Sequence, residues 1–259
     1  EELMPSWLRF VRGLVDSEDL PLNVSRETLQ NNPMVARIRS AIVKRVLGAL
    51  GRKASKAPQD YATFWDNFGA VLKEGLYEDR ENRDTLLKLV RFRSTAGDGL
   101  VSLDNYLGRM LAGQDAIYYI TGDEVATLAN SPQLEGFAAR GVEVLLLADP
   151  VDEFWVPALG EYAEKPFKSV TRAGTDLGAI EAAAEGEDAA EGKQETDAAP
   201  PGIEALIAMF KLELGETVKD VRVSKLLTES VACLVADEGD LDIHLERLLR
   251  QQRQLGESV

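Results

Sequence analysis

The sequence predicts an α/β chain, with α+β character across several subdomains. These are a strand–helix unit, a helical stretch, a small αβα unit with parallel strands, and a shorter α+β set after an acidic run. Three observations predict it. Two apolar runs, 116–121 and 142–147, flank a helical stretch long enough to join parallel strands. Residues 56–94 keep a helical period ahead of them. An acidic run at 179–201, rich in alanine and glycine, separates all of this from a second set of short elements.

Near the start, Trp7-Leu8-Arg9-Phe10-Val11-Arg12 has the aromatic and β-branched character of a strand. A polar loop leads to Leu20-Pro21-Leu22-Asn23-Val24, and Ser25 is placed to cap a following helix. Pro33 interrupts or restarts that helix. Beyond it Val35, Ile38, Ile42, Val43, Val46, Leu47 and Leu50 share one stripe. Seven bases and no acids lie between Asn31 and Gln59: Arg37, Arg39, Lys44, Arg45, Arg52, Lys53 and Lys56. A solvated helix face accounts for them; docking onto an acidic partner is the other reading. Tyr61, Phe64, Trp65, Phe68, Val71 and Leu72 continue the helical period, and a second helix carries Leu86, Leu87, Leu89, Val90 and Phe92.

The strand Ala116–Thr121 precedes a helical stretch, Glu124–Arg140, with a break near Pro132. Val142–Leu147 is nearly all apolar, as a parallel strand buried on both faces requires. Asp149-Pro150 ends it and Asp152 starts a helix with Phe154, Trp155 and Leu159. The acidic linker cannot bury enough apolar surface to offset its ordering entropy. After it, Ile203, Leu206, Ile207, Phe210 and Leu214 mark a helix stopped by Gly215. Val218–Val223 and Ala232–Ala236 have strand character, and a last helix from about Leu241 carries Leu245, Leu248 and Leu249.

Composition excludes several chemistries. One cysteine, Cys233, forbids an internal disulfide, and with one histidine, His244, leaves no ligand set for a Cys/His zinc site. His244, in a charged amphipathic stretch, is expected to be a surface histidine on a helix. A net charge of −15, from 44 acids and 29 bases, opposes phosphate-backbone binding, so no nucleic-acid partner is expected. No apolar run approaches the roughly 20 residues of a membrane span, and no signal peptide is recognisable. A soluble, cytoplasmic protein without a membrane partner is the expectation.

The run Pro5-Ser6-Trp7-Leu8-Arg9-Phe10-Val11-Arg12-Gly13, continued through Leu20-Pro21-Leu22-Asn23-Val24-Ser25-Arg26-Glu27, closely resembles the middle-domain signature of the heat shock protein 90 family of molecular chaperones. Matches follow in order at Gly75-Leu76-Tyr77-Glu78-Asp79, Arg91-Phe92-Arg93-Ser94-Thr95, Ile117-Tyr118-Tyr119-Ile120-Thr121-Gly122 and Glu143-Val144-Leu145-Leu146-Leu147. The resemblance is strong over about 3–172, weaker after the linker, and bacterial in type.

The resemblance implies an organisation. Residues 1–56 correspond to the end of the large middle subdomain, 57–95 to the helical connector and 96–178 to the small middle subdomain. The stretch 179–201 is an acidic linker, and 202–259 the truncated start of the C-terminal domain. The chain is thus expected to be a fragment, starting inside the middle domain and stopping before the family's dimer helices. The family's intact protein is an ATP-dependent chaperone and ATPase that uses ATP with Mg and forms a homodimer. The fragment alone is expected to be no enzyme and to hold no cofactor.

Site residues follow from the same resemblance. Arg26 matches the arginine that reaches the ATP γ-phosphate from the middle domain, a role suited to a guanidinium's fork of donors. Gln30, one helical turn on, matches a second residue of the ATPase cycle. Glu153, Phe154 and Trp155 resemble part of the surface that binds unfolded or partly folded clients. Leu241, Leu245 and Leu248 fall on a client-contacting helix that is methionine-rich in bacterial members. Leucine replaces methionine here, Pro157 departs from the pattern, and the leucines equally fit simple core packing. The expected partners are clients, the family's N-terminal ATPase domain and a second copy.

Two other readings come from the residues themselves. Asp149 and Asp152 lie just past a strand, where α/β enzymes place acids, so a stand-alone metal-dependent enzyme is one alternative. A turn at Asp149-Pro150 and a helix cap at Asp152 are the plainer account. The other alternative is an assembly scaffold that docks an acidic partner through the basic helix.

Overall fold

The computed structural model of the protein describes residues 3–15, 33–172, 177, 180, 202–237 and 240–257. A six-stranded sheet, ordered β2-β1-β4-β3-β6-β5, organises it. Strands β1 (Phe92–Ser94) and β2 (Gly97–Val101) form an antiparallel hairpin, and β1 also pairs antiparallel with β4 (Leu145–Leu147). Strand β3 (Ile117–Thr121) runs parallel to both β4 and β6 (Lys165–Ser169), and β5 (Glu161–Tyr162) turns back along β6. The predicted parallel pair is therefore present, with Tyr119 opposite Leu145 and Thr121 opposite Leu147. The second strand is shorter than 142–147, because only its last three residues join the ladder.

Period-two alternation gives this sheet two apolar faces. Ile117, Leu145 and Leu147 join a core with Trp7, Leu72, Leu76, Leu86 and Trp155. Tyr118, Ile120, Val144 and Leu146 join a second core with Leu128, Leu134 and Phe137. Helices α1 (Pro33–Lys56), α2 (Pro58–Glu78) and α3 (Arg83–Leu89) pack on the first face. Pro33 is the first residue of α1, where a missing N–H costs nothing. Val43, Leu47 and Leu50 are the buried stripe of α1, while Arg37, Arg39, Lys44, Arg45 and Arg52 are exposed. Close approach explains Gly75 in α2: a Cβ there would meet the Trp7 ring at 2.8 Å and Leu86 at 2.9 Å. The short helices α4 (Leu103–Leu107), α5 (Val125–Ala129) and α6 (Glu135–Ala138) line the sheet, with a 3-10 turn at Pro132–Leu134 providing the expected break. Helix α7 (Asp152–Leu159) follows β4.

After the acidic run come α8 (Ile203–Leu214), closed by Gly215 at φ 51°, and α9 (Ile243–Glu257). The predicted linker at 179–201 lies, apart from Ile180, outside the described residues. Among the described residues no helix is long and apolar enough to cross a membrane.

Four predicted elements are corrected. The strand at Trp7–Arg12 is instead a 3-10 helix, Ser6–Leu8, followed by a turn at residues 9–10. Trp7 and Leu8 are both buried, and consecutive buried residues are incompatible with a one-sided strand. Residues 56–94 are not helical to the end, since Val90 turns extended (ψ 147°) and Phe92–Ser94 pairs with two strands. The strands at 218–223 and 232–236 are absent; one bridge, Arg172 to Ala236, is formed there. Their β-branched residues have no neighbouring strand, and strand character without a ladder does not make a sheet.

Candidate functional site

The site is built where α7 leaves β4. Asp152 is fully buried, which demands partners for each oxygen of its carboxylate. Its Oδ2 accepts from Lys73 Nζ (2.8 Å) and from the Asp149 N–H (3.1 Å), and its Oδ1 accepts from Trp155 Nε1 (2.6 Å). Lys73 also reaches Asp149 (2.8 Å) and lies 5.1 Å from the centre of the Phe92 ring. Burial pulls the Lys73 pKa down, but Asp152 and Asp149 more than offset it, and the ammonium is held. The carboxylate thus turns inward inside α7 rather than serving as its cap, which is Val151. Both oxygens of Asp152 are engaged by protein donors. Among the described residues no group of three His, Cys, Asp or Glu side chains could hold a metal ion, which leaves the metal-enzyme alternative without a site there.

This anchoring decides what α7 shows to solvent. Trp155 is fully buried, stacked on Phe92 and edge-on to Phe167. Its neighbour Phe154 is 46% exposed and meets Tyr77 of α2, 54% exposed, at 6.3 Å between ring centres. Glu153 is buried and points to α9. Pro157 lies inside the helix.

The start of α9 is held by hydroxyls and carboxylates. Asp242 precedes the first helical residue and accepts from the His244 N–H (3.3 Å), an N-cap contact. Its carboxylate also accepts from Ser169 Oγ (2.6 Å), Thr171 Oγ1 (2.8 Å) and Thr121 Oγ1 (3.4 Å), at the ends of β6 and β3. His244 Nδ1 lies 2.7 Å from Glu153 and Nε2 3.1 Å from Asp123. Burial lowers the imidazole pKa, yet the bonds to Asp123 and Glu153 outweigh it and raise the value above the usual 6.5. His244 is therefore not the expected surface histidine: it is only 7% exposed. Its position is consistent with this, since it lies four residues before the half-buried Leu248 on one face of the helix.

A second attachment uses Glu135 of α6. Its carboxylate accepts from the N–H groups of Thr228 (2.7 Å), Glu229 (2.9 Å) and Ser230 (3.1 Å), and from the Ser230 hydroxyl. These bonds hold its pKa down at about 2. The chain passes so close that a Cβ on Gly136 would meet the Leu226 oxygen at 2.8 Å.

Of the residues singled out in the sequence, Glu153 and the 241–248 helix are brought together through His244. Phe154 and Leu241 (49% exposed) are accessible, Leu245 and Leu248 are half-buried, and Trp155 is interior. Arg26 and Gln30 lie outside the described residues. Lys73, Tyr77, Asp123, Glu135 and Asp242 were not singled out. Lys73 had a signal: it is four residues after Gly69 and eight after Trp65, a lysine on an apolar stripe. Asp242 had one too, an aspartate directly before a periodic leucine run. Asp123 and Glu135 had none, because their partners are 121 and more than 90 residues away.

Comparison with known proteins bears on this arrangement. Residues 1–258 match the sequence model of the Hsp90 protein family. The chain is 57% identical to the chaperone protein HtpG of Paramagnetospirillum magneticum, over 98% of this chain and 40% of that protein. It is 54% identical to HtpG of Roseobacter denitrificans, over 100% of this chain and 41% of that protein, and 50% identical to HtpG of Mesorhizobium japonicum, over 100% and 40%. The chain spans about two fifths of the length of these relatives. A match over nearly every residue, at half identity or more, extends through both the sheet and the segment anchored to it: the chain belongs to the Hsp90 protein family.

Proposed function

We propose that this chain is the client-contacting part of an ATP-dependent molecular chaperone, cytoplasmic and of the bacterial type. Unfolded or partly folded polypeptides rest on Phe154 of α7 and Leu241 before α9, with Leu245 and Leu248 beside them. Glu153 and Trp155 act from beneath, Trp155 as the buried root of Phe154 and Glu153 as the link to α9. The observation that carries the reading is the exposure of Phe154 and Leu241 on segments whose neighbours are tightly anchored. Such apolar groups bind without sequence preference because burial is non-directional. Arg26 and Gln30 would act in ATP turnover by the intact protein, with ATP and Mg held by a separate N-terminal domain and the whole working as a homodimer.

The test has two arms. Phe154→Ala combined with Leu241→Ala weakens binding of a reduced, alkylated polypeptide about tenfold, read by fluorescence anisotropy, with unchanged far-UV dichroism; unaltered affinity refutes the client assignment. In the intact protein, Arg26→Ala lowers ATP turnover by about 10³-fold or more, as loss of a phosphate-contacting arginine does. Undiminished turnover removes Arg26 from the mechanism.

A further inference from the structure

We infer that His244 is a positioning residue for the client-contact region, a bridge from α9 to Glu153 and Asp123 that sets the spacing between Leu241 and Phe154. The inference rests on the client reading above. Its basis is geometric. The imidazole uses both nitrogens, one on α7 and one on the loop after β3, while its own backbone N–H is bound by Asp242. Glu153 directly precedes Phe154, and Leu241 is three residues before His244, so the bridge ties α7 to α9 within a few residues of each exposed group.

The groups facing the ring are Glu153 from α7 and Asp123 from the loop after β3, while Asp242 from its own segment holds the backbone N–H. Tyr119 of β3 lies within electrostatic reach of Glu153, Asp242 and Arg172. Two carboxylates bonded to one ring favour its cationic form. As a cation His244 donates from both nitrogens; as a neutral ring it donates from one only, and one carboxylate loses its bond. The sign follows. A group whose folded pKa is raised stabilises docking fully below its ordinary value of about 6.5, and that stabilisation is lost as pH rises through the raised value. α9 is therefore held more firmly in mild acid than in alkali, down to the pH at which Glu153, whose own pKa burial raises, takes up a proton.

The chain's single histidine makes the test direct, because its Cε1–H resonance is unique. Titration from about pH 5.5 to about pH 9 gives a midpoint above 6.5, which falls in Glu153→Gln. Amide exchange at 243–250, referenced to 117–121 in the same sample, gains protection below that midpoint. Affinity for reduced, carboxamidomethylated ribonuclease A weakens about threefold or more across it. His244→Gln keeps a neutral donor and the fold, and it abolishes both pH dependences. A midpoint at or below 6.5, or α9 protection that ignores the titration, overturns the inference. So does His244→Ala with undiminished probe affinity when Phe154→Ala weakens binding, an outcome that leaves the functional reading intact. Undiminished affinity in Phe154→Ala overturns the functional reading and with it the role of His244, while the resonance and exchange data still report whether the bridge exists.

Discussion

Residues 33–172 and residues 202–257 are held by opposite means. The first region buries its apolar side chains on both faces of a sheet and sets one charged cluster, Lys73 with Asp149 and Asp152, between α2 and α7. The second attaches mainly through Glu135, Asp242 and His244, with Leu226 packed on the second core and Ala236 buried, while α8 has no buried residue at all. The same composition thus yields a body closed by apolar burial and a segment moored by carboxylates. Burial is cooperative and resists local opening, whereas a few polar moorings release one at a time. For a proposed client-contact region the difference matters: α7 is fixed to the body, and α9 is adjustable against it.

The largest effect is expected where charge is buried in the body. Lys73→Met leaves the Asp152 carboxylate without its cation and costs about 3–5 kcal/mol in urea unfolding. Lys73→Met with Asp152→Leu recovers much of that loss, because the uncompensated charge is gone. Equal destabilisation in the single and double variants would mean that the cluster is not the joint between α2 and α7. Trp155→Ala, which empties the space between Phe92 and Phe167, costs about 3–5 kcal/mol by loss of packing and makes Phe154 mobile in the same step.

The moorings are smaller and local. Asp242→Ala removes the acceptor of three hydroxyls and the cap of α9, and lowers the free energy of opening at the start of α9 by about 1–3 kcal/mol. Amide exchange at 243–250 accelerates while exchange at 117–121 and 145–147 stays as it was. Acceleration everywhere would show the two regions to be one cooperative unit and dissolve the contrast.

Glu135 offers a mooring with the opposite pH sign to His244. Its pKa is held down at about 2, so its grip is complete above the ordinary carboxylate value of 4.5 and is lost as pH falls toward about 2. Glu135→Gln removes the charge, keeps the shape and makes the exposure of 228–230 insensitive to acid over that range. Limited proteolysis in this loop, at graded pH, reads the difference. Acid sensitivity that persists in the variant would assign the mooring to another group.

How far the sequence anticipates these regions differs in the same way. Period discloses the long helices of the body and the parallel pair β3 and β4, because the apolar stripe of α1 and the runs at 117–121 and 145–147 are set by burial. It does not disclose α4, β2, β5 or β6, which are short and carry few apolar residues. Period misleads at Trp7-Leu8, where two consecutive side chains are drawn into one core, and at Phe92, whose strand begins directly after a helix. It is silent on the moorings. His244 meets Glu153 and Asp123 only after the chain returns across about a hundred residues, and nothing local marks a carboxylate for that use. Lys73 and Asp242 were the legible exceptions, a charge on an apolar stripe and an acid before a leucine run. The family resemblance supplied Phe154 and Leu241 but not the network beneath them.

The smallest expected effect is also the sharpest check on the contrast. Leu212 of α8 is 84% exposed, and Leu206 and Met209 of the same helix are also open to solvent. Burying a leucine stabilises a fold by about 1.5–3 kcal/mol, whereas a side chain left in water contributes almost none of that. Leu212→Ser should therefore change the unfolding free energy by no more than about 0.5 kcal/mol, the range of substitutions made away from any packed feature. A loss above about 1 kcal/mol in dilute solution would mean that α8 rests on an apolar surface of the chain itself. The second region would then be closed by burial as the first is, and Glu135, Asp242 and His244 would refine a docking that hydrophobic contact already holds.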